Sequence, residues 1–147
     1  MRGRIEKDSR FLLAERYIQE TGISVFLTGK AGTGKTTFLK NVVERSKKNL
    51  VVVAPTGVAA MNAGGVTIHS FFQLPLSPFV PGQKAKTFFE FGREKRRIIA
   101  ALDLLVIDEI SMVRADLLDA MDSVLRRFRD KNRPFGGVQL LMIGDLC

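Results

Sequence analysis

The stretch FLTGKAGTGKTTFL, residues 26–39, decides the fold. Gly29 through Thr36 fit the pattern G-x-x-x-x-G-K-[ST] in full. An apolar, β-rich run, ISVFLT (residues 23–28), precedes it and reads as a buried strand. Phe38, Leu39, Val42 and Val43 follow at helical spacing to about Arg45. Strand, glycine-rich turn and helix in this order make a phosphate cradle. Glycines let the backbone wrap closely, so the amides from Gly29 across Ala31, Gly32, Thr33, Gly34, Lys35, Thr36 and Thr37 can face phosphate oxygens. The helix N-terminus adds partial positive charge. Lys35 would reach the β- and γ-phosphates, and Thr36 would place its hydroxyl on Mg²⁺. A glycine-rich turn with an accidental lysine is the competing reading, and the flanking strand and helix argue against it.

LLVIDEIS, residues 104–111, supplies a second half. A hydrophobic strand runs into Asp108 and Glu109, and two adjacent acids buried without partners would be costly. A bound Mg²⁺ resolves this. Asp108 would hold the metal, directly or through water, and Glu109 would act as general base on the attacking water. The competing reading is a strand-end acid pair facing solvent. A GTPase would need a guanine-reading N-K-x-D, which the sequence lacks, so ATP hydrolysis is favoured.

Outward from these two segments, the elements alternate. Ser9 is placed to cap a helix through about Glu20, with Leu12, Leu13, Tyr17 and Ile18 facing inward. LVVVA (residues 50–54) is a second buried strand, and PTGVAAMNAGG a turn and short helix ending at Gly64 and Gly65. Residues 73–92, with Pro75, Pro78 and Pro81, read as an extended loop with a short helical piece, and REKRRIIAAL as a helix. RADLLDAMDSVLRRFR is the clearest helix, with Leu117, Leu118, Met121, Val124, Leu125 and Phe128 in one stripe. RDKNRPFGG is a polar turn and VQLLMIGD the last strand. Buried strands alternating with helices imply an α/β fold, a parallel sheet with helices on both faces. Without repeats or low-complexity linkers, residues 1–147 read as one domain.

Composition sets the class. The 147 residues are 46% hydrophobic and 26% charged, which suits a globular chain. No apolar run is long enough for a membrane helix, and the charged N-terminus lacks a signal-peptide core. Cys147 is the only cysteine, which excludes an internal disulfide and suits a reducing, cytoplasmic setting. The net charge of +8 makes a polyanionic partner plausible. No Lys, Arg, Asp or Glu lies between Val51 and Gln83, so that stretch either packs or presents backbone and small polar groups.

FLTGKAGTGKTTFL, VVAPTGVAAMNAGGVTIHSFF, LLVIDEISMVRADLLDAMD and FGGVQLLMIGD occur in this order. Together they look like motifs I, Ia, II and III of the PIF-family DNA helicases, RecD-like members of helicase superfamily one. The resemblance covers about residues 23–146. It implies a RecA-like P-loop NTPase fold, here an incomplete first motor domain, with sheet order motif Ia, motif II, motif III, motif I. It implies ATP and Mg²⁺ as cofactors and movement 5′ to 3′ on single-stranded DNA, in a soluble, bacterial, nucleoid-associated protein. Thr56, Gly57 and Val58 would approach the DNA backbone, and Thr67, His69, Ser70 and Phe71 would form the next contact. Backbone amides and hydroxyls can hold phosphates without Lys or Arg, which suits the uncharged stretch. Of Phe71 and Phe72, one would pack inward and the other face DNA. Phe79, Phe88, Phe89 and Phe91 read as local packing, and Arg93, Lys95, Arg96 and Arg97 as a solvated helix face. Gly144 and Asp145 would carry motif III to the ATP site.

Two departures from the family pattern stand out. Leu12 occupies the place where the family often has an adenine-reading Gln, and Gln19 lies too close to the strand to replace it. The sequence stops before the QLPP that follows motif III in the family and before a second motor domain, so the isolated chain is expected to hydrolyse ATP slowly or not at all. Two other functions compete with the helicase reading: a nucleotide-binding module without catalysis, and a stand-alone AAA-type ATPase or helicase loader. The motif I strand would form a sheet edge, which invites self-association.

Overall fold

The computed structural model describes residues 2–29, 34–75 and 91–145, with side chains from Ser9 onward. Five strands form one parallel sheet in the order β1-β5-β4-β2-β3. They are β1 Val25–Gly29, β2 Leu50–Ala54, β3 Val66–Thr67, β4 Leu104–Ile107 and β5 Gln139–Asp145. The order expected for the four motif strands is therefore observed. The two-residue β3, outside β2, is additional to it.

Among the described residues, six α-helices accompany the sheet: α1 Arg2–Glu20, α2 Lys35–Arg45, α3 Gly57–Ala63, α4 Ile68–Phe72, α5 Arg93–Ala100 and α6 Ala115–Phe128. Strand side chains alternate between two apolar layers, as a pleated backbone requires. Val52, Leu104, Val106, Leu141 and Ile143 pack with Ala14 and Ile18 of α1 and Phe38, Leu39 and Val42 of α2. Val53, Leu105, Ile107 and Leu140 pack with Ile68 and Phe72 of α4, Ile99 of α5, and Met121, Val124 and Leu125 of α6. All four residues of β4 are buried, because that strand is covered on both faces.

Three expectations need correction. Ser9 does not start a helix: α1 begins at Arg2, and the charged residues around Ser9 continue it. The inner stripe of α1 is Ala14 and Ile18, with Phe11 packed partly against the same layer. Leu12, Leu13 and Tyr17 are 55%, 53% and 41% exposed. That helix is apolar on more than one side, so its inward face follows from where α2 lies. The strand of motif I is not fully buried but alternates, with Phe26 more than half exposed, because β1 is the sheet edge and only its Val25 and Leu27 side meets the α1–α2 layer.

The segment IHSFF forms the short helix α4, and the polar turn after α6 holds a 3-10 turn at Pro134–Gly137. Phe79, Phe88 and Phe89 lie outside the described residues. Phe91 packs edge-on against Phe128 with ring centroids 5.0 Å apart, as a core contact.

At the amino end of the sheet, Lys48 ties three segments together. Its ammonium donates to the carbonyls of Ile18 and Thr21 and, at 2.6 Å, to Oε1 of Gln139. The Gln139 amide is buried and donates to Tyr17 and Ile23 carbonyls at 3.1 and 2.8 Å. This knot sets β5 against α1 and β1. The opposite, carboxyl ends of β1, β4 and β5 then lie together, where ligands of open parallel sheets bind.

Candidate nucleotide site

Gly34 opens α2 with φ of 93°, a left-handed conformation that glycine adopts without strain. Phe11 of α1 lies over this residue, and its ring stacks at a tilt on Phe38 at 5.4 Å. The first turn of α2 is thereby held from behind. Lys35, the first residue of α2, sends its ammonium to the strand ends. It donates to the Gly29 carbonyl at 2.6 Å, to the Gly144 carbonyl at 3.3 Å, and to the Asp145 carboxylate. Gly29 and Gly144 lie in the paired strands β1 and β5, so the sheet itself fixes the two carbonyl acceptors.

A cleft of about 430 Å³ opens beside this point. Gly34, Lys35, Thr36 and Leu39 form one wall, and Ala59, Asn62 and Ala63 of α3 form another. Asp108, Glu109, Ile143, Gly144 and Asp145 close it at the strand ends. Lys35, Thr36, Asp108, Glu109, Gly144 and Asp145, predicted from three separate motifs, are thus brought to one cleft. Ala31, Gly32 and Thr33 lie outside the described residues. Gly29 contributes its carbonyl, and Thr37 is exposed on α2.

The acids sit in different settings. The Asp108 amide donates to the Val53 carbonyl at 2.9 Å, which extends the β4–β2 ladder by one residue. Burial pushes the Asp108 carboxyl above the usual carboxylate range, and the Asp145 charge adds to this. A hydrogen bond from the Glu109 amide and the Lys35 charge pull it back. Glu109 is likewise raised by burial, then by the charges of Asp108 and Asp145, with Lys35 opposing. Its backbone is left-handed, φ 56° and ψ 44°, a conformation uncommon for a residue with a side chain. A 3-10 turn, Ile110–Met112, follows and packs on Gly144.

α3 was read as a motif-bearing helix, and its contribution to the cleft was missed. Ala59, Asn62 and Ala63 follow the i, i+3, i+4 spacing of one helix face, the one signal in the sequence that could have found it. Leu12, at the place of the family's adenine-reading Gln, is exposed. Gln19 donates to the Val42 carbonyl at 3.4 Å, which commits it to the α1–α2 contact.

The residues singled out for DNA fall on the α3–α4 segment. Thr56 caps α3, its hydroxyl accepting from the Ala59 amide at 3.1 Å, and Thr67 caps α4 in the same way through the Ser70 amide at 3.1 Å. Gly57, Val58 and Ser70 are exposed, and His69 is partly buried. Phe71 and Phe72 are both buried, packed edge-on at 5.0 Å, so neither ring faces outward as expected. Lys95 lies over the Phe71 ring at 4.4 Å from its centroid, so this member of the α5 charge row is not a purely solvated group. Both rings are drawn inward because α4 is one short turn laid on the sheet.

The strand order, Lys35 at the start of α2 and the acidic pair at the end of the central strand define a RecA-like P-loop domain. Comparison with known proteins narrows this further. The family model of the PIF1-like helicases matches residues 6–147, and the chain belongs to that family. It is 39% identical over 135 residues to the ATP-dependent DNA helicase PIF1 of Saccharomyces cerevisiae, covering 87% of this chain and 15% of that protein. The human ATP-dependent DNA helicase PIF1 is 42% identical over 130 residues, covering 84% of this chain and 19% of the relative. Among solved structures, Bacteroides sp Pif1 in complex with ADP-AlF4 superposes with a TM-score of 0.84 at 49% identity, over 92% of this chain and 31% of that one. Bacteroides Pif1 bound to ssDNA gives 0.83 at 50% identity, with the same coverage. The chain therefore spans less than a fifth of these curated relatives and about a third of the solved chains. No helix among the described residues is long and apolar enough to cross a membrane.

Proposed function

We propose that the chain is the ATP-binding part of an ATP-dependent DNA helicase, which couples hydrolysis to 5′-to-3′ movement on single-stranded DNA. Residues 1–147 are read as one RecA-like unit, with α1 packed behind the motif-bearing part. The observation that carries this is the position of the Lys35 ammonium at the joined ends of β1 and β5, in one cleft with Asp108 and Glu109. On nucleotide binding, the amides around Gly34 to Thr37 would hold phosphate oxygens and Lys35 would turn to the β- and γ-phosphates. Glu109 would position and deprotonate the attacking water, helped by a carboxyl that already favours the proton more than usual.

The donors fit a magnesium ion. Mg²⁺ takes one or two carboxylates together with phosphate and water rather than a closed protein cage. Thr36 and Asp108 line the cleft, so one hydroxyl and one carboxylate stand where such an ion would need them. When bound, the ion would neutralise charge building on the phosphates.

Single-stranded DNA would run along the exposed side of α3 and α4, over Thr56, Gly57, Val58, Thr67, His69 and Ser70. Support for this comes from the exposure of Gly57, Val58 and Ser70 and from the likeness to Bacteroides Pif1 bound to ssDNA. Photocrosslinking of a 5-iodouracil oligonucleotide, mapped by mass spectrometry, tests it. Crosslinks within residues 56–70 are expected, and crosslinks confined to other surfaces would overturn the DNA assignment. The edge strand β1, with Phe26 uncovered and Ile23 exposed just before it, supports association between copies.

A further inference from the structure

We propose that Asp145 makes the cleft selective for metal-complexed over metal-free nucleotide, by occupying Lys35 until a divalent cation arrives with the phosphates. This rests on the nucleotide reading above. The Lys35 side chain is only 12% exposed, and its ammonium has three acceptors, of which the Asp145 carboxylate alone is charged. The β1–β5 register fixes the backbone of Gly29 and Asp145, the strand ends to which Lys35 reaches from the start of α2.

The charge balance around this pair is lopsided. Asp108, Glu109 and Asp145 line the cleft, and Lys35 is the only cationic side chain that does so among the described residues. Like charge from Asp145 reaches both other acids. A metal-free triphosphate adds more negative charge to this cluster and must also draw Lys35 off Asp145. Since binding needs a free Lys35, apparent affinity falls with the fraction of molecules in which Asp145 holds it. A nucleotide accompanied by a divalent cation brings the positive charge that the three carboxylates then lack, and Lys35 can move to phosphate without leaving them uncompensated. Asp145 is thus a specificity-determining residue that acts through Lys35.

Calorimetric titration of the chain with ATP in excess EDTA, and with ATP plus Mg²⁺, reads the two dissociation constants. In Asp145→Asn, which keeps size and removes charge, the EDTA value should fall about two- to fivefold, the scale of a partly exposed ion pair. The Mg²⁺ value should stay level or rise, so the ratio of the two narrows. Asp145 sits half-exposed at a strand end, and Asp145→Ala gives a second reading in the same direction if the first variant folds poorly. An unchanged ratio in the folded variants overturns the inference and leaves the nucleotide site standing. A wild-type chain that binds ATP in neither condition removes the nucleotide reading and this inference with it.

Discussion

Gly144 and Ile110 are packed so closely that a Cβ on Gly144 would lie 2.7 Å from the Ile110 Cγ2. The contact joins the last strand to the 3-10 turn that carries Glu109 at its start. Gly144→Ala must push this turn away, and overpacking of this kind costs about 1–3 kcal/mol. Urea unfolding should show that loss. The displaced Glu109 should weaken nucleotide hydrolysis in any longer form of the protein more than it weakens binding. An unchanged unfolding midpoint would mean the turn has room to move.

The acidic pair predicts a pH effect on stability. Burial raises the carboxyl groups of Asp108 and Glu109 above their ordinary range. The folded state then holds protons that the unfolded chain has released. The stability these groups contribute is fully present below their unfolded pKa and is lost as pH rises through the folded one. Asp108→Asn should therefore raise the melting temperature at neutral pH in EDTA, and its advantage over wild type should shrink as pH falls into the weakly acidic range. A constant advantage across that range would show that the charge at Asp108 is compensated.

Lys48 is expected to matter for stability alone. Its three acceptors join the end of α1, the turn after it and Gln139 of β5. Lys48→Ala leaves buried acceptors without a donor, at a cost of about 1–3 kcal/mol. Chemical denaturation should register this, while ATP affinity of the folded fraction stays level, because the knot lies at the far end of the sheet. A change in affinity at unchanged stability would contradict it.

Phe71 separates a packing role from a DNA role. With only 6% of its surface exposed, it belongs to the α4 side of the core. Phe71→Ala should cost about 3–5 kcal/mol, as large-to-small changes in cores do. Phe71→Leu, which keeps most of the volume, should bind a single-stranded oligonucleotide as wild type does. Loss of DNA binding in a stable Phe71→Leu chain would restore the stacking role.

The parts of this molecule legible in the sequence are those whose cause is local. β2 and β4 are unbroken apolar runs bounded by turns, because covered strands in a parallel sheet need apolar residues on both faces. Lys35, Asp108 and Glu109 were legible because phosphate and metal chemistry fixes residue type and spacing together. Features set by distant partners were not. The Lys48–Gln139 contact spans 91 positions, and nothing near either residue announces it. The inward face of α1 depends on where α2 lies, since apolar residues occur on several of its sides. Asn62 reaches the cleft only because α3 packs beside α2, and Phe71 turns inward only because α4 is a short turn laid on the sheet.

The central claim is that Lys35, held at the joined ends of β1 and β5, grips the phosphates of a nucleotide. Calorimetric titration of Mg-ATP into the wild-type chain and into Lys35→Ala tests it most directly. Lys35→Ala should weaken binding by about tenfold or more, as loss of a charged hydrogen bond of about 1.5–3 kcal/mol requires. Equal dissociation constants for the two chains would contradict the account.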